Sequence, residues 1–243
     1  MRKNIPNFVT LLNLLSGCIS IVFAFNGNSV LAAWLIGIAA VFDFLDGMLA
    51  RLLNARSPLG LHLDSLSDVI SFGVAPGVIV FQLMQNSEHL PFFFWDGVNF
   101  ASFAAFLIPV FSALRLAKFN IDDRQTDSFI GLPTPANALF FASMPLVNFQ
   151  AENLNHHWIN MILQNYHSLL IITVFFSLLL VSPIPLMGFK FKSYKFSENK
   201  LKFFFLVFTA GLILLLKFYA LPVIIIAYIL VSVPGKKEKQ KVA

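Results

Sequence analysis

Charge is what this sequence has least of. Only 12% of its 243 residues are Asp, Glu, Lys or Arg, about half the share usual in a soluble domain. With 58% hydrophobic residues and a mean hydropathy of +0.78, the chain carries more apolar surface than one packed core can absorb. A soluble globular protein is excluded, and lipid must solvate part of the surface. Cysteine is nearly absent. Cys18 stands alone in the first apolar stretch, which rules out an intramolecular disulfide, and it is expected to pack as a small hydrophobe. A cleavable leader is not expected, because that stretch keeps Asn7, Thr10 and Asn13 and lacks a clear small-residue cleavage site. Repeats of roughly 20–50 residues, an inverted transporter-like repeat and basic–aromatic interleaving suited to nucleic acid are all missing.

What is there is a series of apolar runs. Against the roughly 20 residues needed to cross a ~30 Å hydrocarbon core, the sequence predicts spans at about 8–26, 29–53, 64–85, 99–117, 132–149, 166–187, 201–216 and 219–233. The last two are short and joined by a tight turn over 217–222. Of the 17 Lys and Arg residues, 16 fall into five clusters: Arg2/Lys3; Arg51/Arg56; Arg115/Lys118/Arg124; Lys190 to Lys202; and Lys236 to Lys241. Eight spans put all five clusters on one side, cytoplasmic by the positive-inside rule. Seven would throw the basic tail, 234–243, to the other. Only Lys217 dissents, at a helix end from which it could snorkel. The reading is an all-α polytopic membrane bundle over 1–243, a single domain of eight transmembrane helices with both termini cytoplasmic. The net charge of +5 is then a membrane-surface feature, with no nucleic-acid partner.

The acidic residues are out of place in such a chain. Asp43, Asp46, Asp64 and Asp68 sit in the second and third apolar segments or at their cytoplasmic ends. An Asp at the middle of a membrane helix costs about 2.5–3.5 kcal/mol, so intramembrane acids are functional candidates. At ~100° per residue, Asp43, Asp46, Gly47 and Ala50 share one helix face, and Gly60, Asp64 and Asp68 share another. Asn54, Ser57 and Pro58 suit a short turn between the two helices. Four converging carboxylates cannot all stay ionised without cations. An all-oxygen donor set points to Mg²⁺, Mn²⁺ or Ca²⁺, and a metal pair is a common device for gripping phosphoryl groups. Gly47, Ala50 and Gly60 keep the lining small, and Arg51 supplies a cation able to meet phosphate.

Residues 43–68 read Asp43-x-x-Asp46-Gly47-x-x-Ala50-Arg51, eight further residues, then Gly60-x-x-x-Asp64-x-x-x-Asp68. This resembles the signature of the CDP-alcohol phosphotransferase family at all eight fixed positions. The resemblance implies a six-helix catalytic core, usually dimeric, with a polar cavity open to the cytoplasm. It implies two divalent ions, Mg²⁺ or Mn²⁺, held by Asp43, Asp46 and Asp64. Asp68 would help bind metal and act as general base on the acceptor alcohol. Gly47, Ala50, Arg51 and Gly60 would lie along the CDP moiety. Asn7 and Thr10 are similar to a segment that helps line that nucleotide site, and they equally suit helix capping.

The acceptor is read from other segments. Ser71–Pro76, Ser112–Asn120 and Gly131–Ala136 look like the phosphatidylserine synthase branch, with Lys118 and Asn137 as departures. That branch implies CDP-diacylglycerol and L-serine as substrates, with the enzyme in a bacterial inner membrane. A serine acceptor brings a carboxylate that Arg115, with Lys118, could hold; both cations also suit plain membrane anchoring. His62 is expected to pack, and His89, His156, His157 and His167 to meet solvent. Rival acceptors, glycerol-3-phosphate or inositol phosphate, would want more cations around the cavity. A cation channel or transporter would give no reason for Gly47, Ala50, Arg51 and Gly60 at this spacing.

Overall fold

The computed structural model describes residues 4–96, 98–121, 128–187 and 200–232. The basic clusters at both chain ends and the acidic stretch with Asp122, Asp123 and Asp127 lie outside the described residues. Ten α-helices dominate the described residues: α1 (Ile5–Phe25), α2 (Ser29–Leu52), α3 (Pro58–Asp68), α4 (Ala75–Gln85), α5 (Leu107–Ile121), α6 (Thr134–Asn153), α7 (His157–Leu163), α8 (Tyr166–Val181), α9 (Lys200–Leu216) and α10 (Ala220–Ser232). Two short antiparallel ribbons complete the described elements. One pairs β1 (Phe94–Trp95) with β2 (Val98–Asn99), the other β3 (Ser128–Ile130) with β4 (Pro185–Met187).

The helices are built inside out relative to a soluble protein. On α1 the exposed stripe is Phe8, Leu11, Leu15 and Val22, while Thr10, Asn13, Gly17 and Ser20 are buried. Only a lipid surround favours that arrangement, with small and polar residues used for helix contact. Ser20 Oγ donates to the Ala32 carbonyl at 2.8 Å, and Ala24, Ala32 and Ala33 let α1 and α2 approach closely. Cys18 is exposed on this outer face rather than packed. His62 is likewise exposed, since α3 turns its carboxylates inward and leaves that side outside.

Among the described residues, five segments are long and apolar enough to cross a membrane: Ile5–Phe25, Ser29–Leu52, Pro58–Gln85, Phe100–Ile121 and Phe203–Ser232. The third begins earlier than the apolar run at 64, because Pro58 sits in its first turn and Ser57 caps it. Ser57 Oγ accepts from the Gly60 amide at 3.0 Å. A π-helical turn, Val69–Val74, joins α3 to α4. Pro76 has no N–H to return to the Phe72 carbonyl, so regular α-helical bonding fails here and the wider turn absorbs the mismatch. The helix expected to run to 187 stops at Val181, because Pro183 and Pro185 cannot continue it.

The fifth long segment is not one straight rod. The Phe205 and Tyr228 ring centroids are 6.4 Å apart, whereas 23 residues of continuous helix would separate them by about 35 Å. The chain reverses at Lys217–Tyr219, where Lys217 has φ 52°, and α9 and α10 form an antiparallel pair. Gln150 of α6 clamps this reversal: its Nε2 donates to the Leu216 carbonyl at 3.2 Å and its Oε1 accepts from the Phe218 amide at 2.8 Å. His156, expected to meet solvent, bonds Tyr219 Oη at 3.0 Å.

Helix α6 is the centre. Twelve of its 20 residues are buried, and it contributes to both apolar clusters, one with α1, α2 and α4, the other with α4, α5, α8 and α10. Protein rather than lipid surrounds it, which is why it tolerates Thr134, Asn137 and Ser143. Its entry is fixed by Gly131, at φ 77°, whose amide donates to the Ile184 carbonyl at 3.0 Å. A side chain there would press on the Leu180 backbone.

Candidate active site

The functional candidates come from particular helix ends. Asp43 and Asp46 lie in the second half of α2, Asp64 and Asp68 on α3, Arg115 in the second half of α5 and Thr134 at the start of α6. Because successive long helices reverse direction, these positions meet at one end of the bundle, the end that also carries Arg51, Arg56 and Lys118.

Three carboxylates converge there. One oxygen each from Asp43, Asp64 and Asp68 lies within 4.8 Å of the other two. At that spacing each ionised pair repels by roughly 3–4 kcal/mol for an effective dielectric near 20. Asp68 is buried, while Asp43 and Asp64 are half-buried. Asp46 stands slightly apart, 5% exposed. The Thr10 hydroxyl lies beside Asp46 and donates to the Pro6 carbonyl at 3.0 Å. Asp46 Oδ2 is buried without a hydrogen-bond partner among the described residues. Crowded carboxylates, an orphaned carboxylate oxygen and, among the described residues, no His or Cys in the cluster fit hard divalent cations.

The first helix contributes more than sequence reading found. Asn13 is fully buried, and its Nδ2 donates to Asp68 Oδ1 at 3.3 Å. Ser71, in the π-turn, donates through Oγ to the Asn13 backbone carbonyl at 2.9 Å. One turn on, Gly17 lets the two segments touch: a Cβ there would sit 2.8 Å from Ser71 Cα. Asn7, Thr10, Asn13 and Gly17 recur at helical spacing, a signal legible in the sequence. Neither Asn7 nor Thr10 is a cap, since α1 starts at Ile5 and Asn4 occupies the capping position. Asn7 instead packs at Gly60, where a Cβ would lie 3.0 Å from Asn7 Oδ1.

The signature's small residues divide into two kinds. Gly60 is small because Asn7 and Ser57 press on it. A Cβ on Gly47 would meet nothing within 4 Å, so its smallness leaves space beside the carboxylates. Arg51 folds back, donating Nε to the Gly47 carbonyl at 2.9 Å. With Ala50, Asn54 and Arg56 it lines a cavity of about 400 Å³ at the bundle end.

The two cations proposed for the acceptor part company. Arg115 is buried at 6% exposure, donates Nη1 to Thr134 Oγ1 at 3.4 Å and lies over the Phe119 ring at 5.6 Å. Asp68 lies close enough for its carboxylate to act on the guanidinium, yet among the described residues no ion pair joins them. Lys118, three residues on, is exposed and does not share that pocket. Asn137, one turn beyond Thr134, is fully buried with both amide atoms unpartnered among the described residues.

Comparison with known proteins agrees with this geometry. A family model described as CDP-alcohol phosphatidyltransferase matches residues 3–179. A Helicobacter pylori protein named CDP-diacylglycerol–serine O-phosphatidyltransferase is 40% identical over 139 residues, covering 55% of this chain and 54% of that protein. Proteins of the same name are 37% identical in Methanocaldococcus jannaschii, over 70% of this chain and 71% of that one, and 36% identical in Bacillus subtilis, over 59% and 73%. The chain thus spans about half the length of the Helicobacter protein it matches. The aspartate cluster between α2 and α3 lies wholly within the matched stretch, and this chain belongs to the CDP-alcohol phosphatidyltransferase family.

Proposed function

We propose that this protein transfers the phosphatidyl group of CDP-diacylglycerol to the hydroxyl of L-serine, releasing CMP and forming phosphatidylserine. The observation that carries the reading is the meeting of Asp43, Asp64 and Asp68 within 4.8 Å beside a glycine that leaves open space and a buried arginine. Family membership supports the donor, and the names of three relatives support the acceptor.

Asp43, Asp46, Asp64 and Asp68 would hold two divalent ions, Mg²⁺ or Mn²⁺. Bound there, the ions supply neutralisation of the phosphate charge that builds up during phosphoryl transfer. Asp68 takes the proton of the acceptor hydroxyl, with Asn13 fixing the orientation of its carboxylate. Gly47, Ala50, Arg51 and Gly60, with Asn7 and Thr10, bind the CDP moiety. Arg115 pairs with the serine carboxylate as a bidentate donor. Lys118, exposed, acts at most on the approach of the acceptor. Positioning and electrostatics suffice, with no covalent enzyme intermediate.

Eight transmembrane helices with both termini cytoplasmic complete this reading, and the antiparallel α9–α10 pair supports counting that segment as two. Helix α6 adds a span shielded from lipid, and α8 a short one. With the basic clusters inside, the site faces the cytoplasm of a bacterial inner membrane. A homodimer embedded among membrane lipids belongs to the reading through the family likeness.

The test is an acceptor panel. Membranes containing the protein should release CMP from CDP-diacylglycerol with serine and Mg²⁺ or Mn²⁺. Turnover with glycerol-3-phosphate or an inositol phosphate, and none with serine, would overturn the acceptor. Arg115→Ala should raise the serine KM at least tenfold, for loss of a charge-assisted bond of about 1.5–3 kcal/mol. Lys118→Ala should change it less than threefold.

A further inference from the structure

The cavity at the bundle end, about 400 Å³, is lined by Ala50, Arg51, Asn54 and Arg56. Two of these four are arginines, and only Arg51 belongs to the signature. Arg56 falls among the eight positions, 52–59, that the signature leaves free. Local structure explains how both reach one cavity. Helix α2 ends in a Schellman motif, with Asn54 in the left-handed region at φ 48°. The Asn54 amide donates to the Arg51 carbonyl at 3.3 Å, and the Ala55 amide to the Ala50 carbonyl at 3.0 Å. The chain thereby turns back on the end of α2, and Ala55 is buried in the turn. On the other side Ser57 caps α3, accepting from the Gly60 amide at 3.0 Å. Arg56 thus stands between two hydrogen-bonded helix ends, its backbone held and its side chain exposed.

We propose that Arg51 and Arg56 form a phosphate-binding site at the end of α2, with Arg56 as a binding residue outside the signature. Arg51 donates Nε to the Gly47 carbonyl at 2.9 Å, which leaves its two Nη groups for a ligand. Arg56 has no hydrogen bond or ion pair among the described residues. Two guanidinium groups lining one cavity repel each other, and no carboxylate lines it to offset them. A phosphate does so, and the planar N–H forks match its oxygens. Membrane anchoring requires only that Arg56 lie at this end of the bundle. It gives no reason for a locked turn that brings Arg56 to the cavity of Arg51. The cavity also adjoins the aspartates, because Ala50 follows Asp46 and Gly47 by one turn on the same face of α2. Two sources supply a phosphate at a membrane surface: the diphosphate of the lipid donor, and the headgroup of an ordinary anionic phospholipid.

Only the first source rests on the transferase reading, and a metal-free measurement separates the two questions. With EDTA present the bare aspartates repel a phosphate, so stabilisation by one reports the arginines. The full chain in neutral detergent is melted with CDP-diacylglycerol, phosphatidylglycerol or phosphatidylcholine, each variant against its own lipid-free Tm. We expect CDP-diacylglycerol to raise the wild-type Tm, and Arg56→Gln to lose most of that rise. Arg56→Lys, which keeps the charge and loses the fork, should retain only part of it. Phosphatidylcholine, with no net charge, should raise neither. If phosphatidylglycerol reproduces the Arg56-dependent rise, the ligand is an anionic headgroup in general; if CDP-diacylglycerol alone gives it, the ligand is the donor. In the donor case Arg56→Gln also raises the KM for CDP-diacylglycerol about tenfold and leaves the serine KM within twofold of wild type. An undiminished rise in Arg56→Gln overturns the proposal, as does the absence of any rise with either anionic lipid. A protein that melts as expected and transfers to no alcohol loses the transferase reading and keeps the phosphate site.

Discussion

The Asn13 amide donates to Asp68 Oδ1 at 3.3 Å, tying the first helix to a carboxylate 55 positions later. Asn13 is itself held by Ser71, which bonds its backbone carbonyl. One Asp68 oxygen is thereby fixed, leaving the other for chemistry. Asn13→Ala should lower kcat by about tenfold to a hundredfold, the weight of one buried bond to a charged group, with little change in either substrate KM. CMP release at saturating substrates measures this. Asn13→Asp should be worse, since it adds a carboxylate to an already crowded site.

Glycines 17 and 47 should respond in opposite ways. A Cβ at Gly17 would collide with the Ser71 backbone, whereas one at Gly47 would meet nothing. Gly17→Ala should therefore lower the thermal stability of the detergent-solubilised protein by about 1–3 kcal/mol. Gly47→Ala should leave the Tm unchanged or slightly raised and increase the KM for CDP-diacylglycerol. If Gly47→Ala unfolds the protein, the open space beside the carboxylates has been misread.

Divalent metal should stabilise the fold as well as enable turnover. Relief of repulsion among Asp43, Asp64 and Asp68 favours the folded state whenever cation binds it. Saturation at about 100 times Kd corresponds to about 2.7 kcal/mol. Adding Mn²⁺ to chelator-treated protein should raise the Tm, and Asp64→Ala should abolish that rise. Calorimetry in detergent reads both.

Gln150 offers a test remote from the chemistry. Its two bonds to Leu216 and Phe218 satisfy backbone groups at the α9–α10 reversal. Gln150→Leu should destabilise by about 1–3 kcal/mol and speed hydrogen exchange at residues 216–219, while activity per folded molecule stays near wild type. Unchanged exchange at the reversal would show that α6 does not hold it.

Much of the site was legible because helix geometry is periodic. Asp43, Asp64 and Asp68 converge as helical phase placed them, while Asp46, read as a fourth member, stands slightly apart, and Ser57–Pro58 marked the helix start between them. Lys118 illustrates the limit. Three positions from Arg115, it looks equivalent in sequence, yet the pitch of α5 exposes one and buries the other. Asn13 was visible only as a polar residue in an apolar run; its partner is 55 positions away, and no local rule names it. Cys18 and His62 were expected to pack and instead face outward: a thiol costs little against lipid, and His62 lies in the first turns of α3, at the bundle end that carries Arg51 and Arg56.

Sequence alone determined that this chain carries apolar helices suited to a bilayer and that Asp43, Asp64 and Asp68 share inward helix faces, because hydropathy and helical phase are local properties. Tertiary structure decided which groups meet: Asn13 with Asp68, Gln150 with the 216–218 backbone, and Arg115 with Thr134. These contacts join helices far apart in the chain, and their register depends on how closely small residues such as Gly17 and Ala32 let the backbones approach.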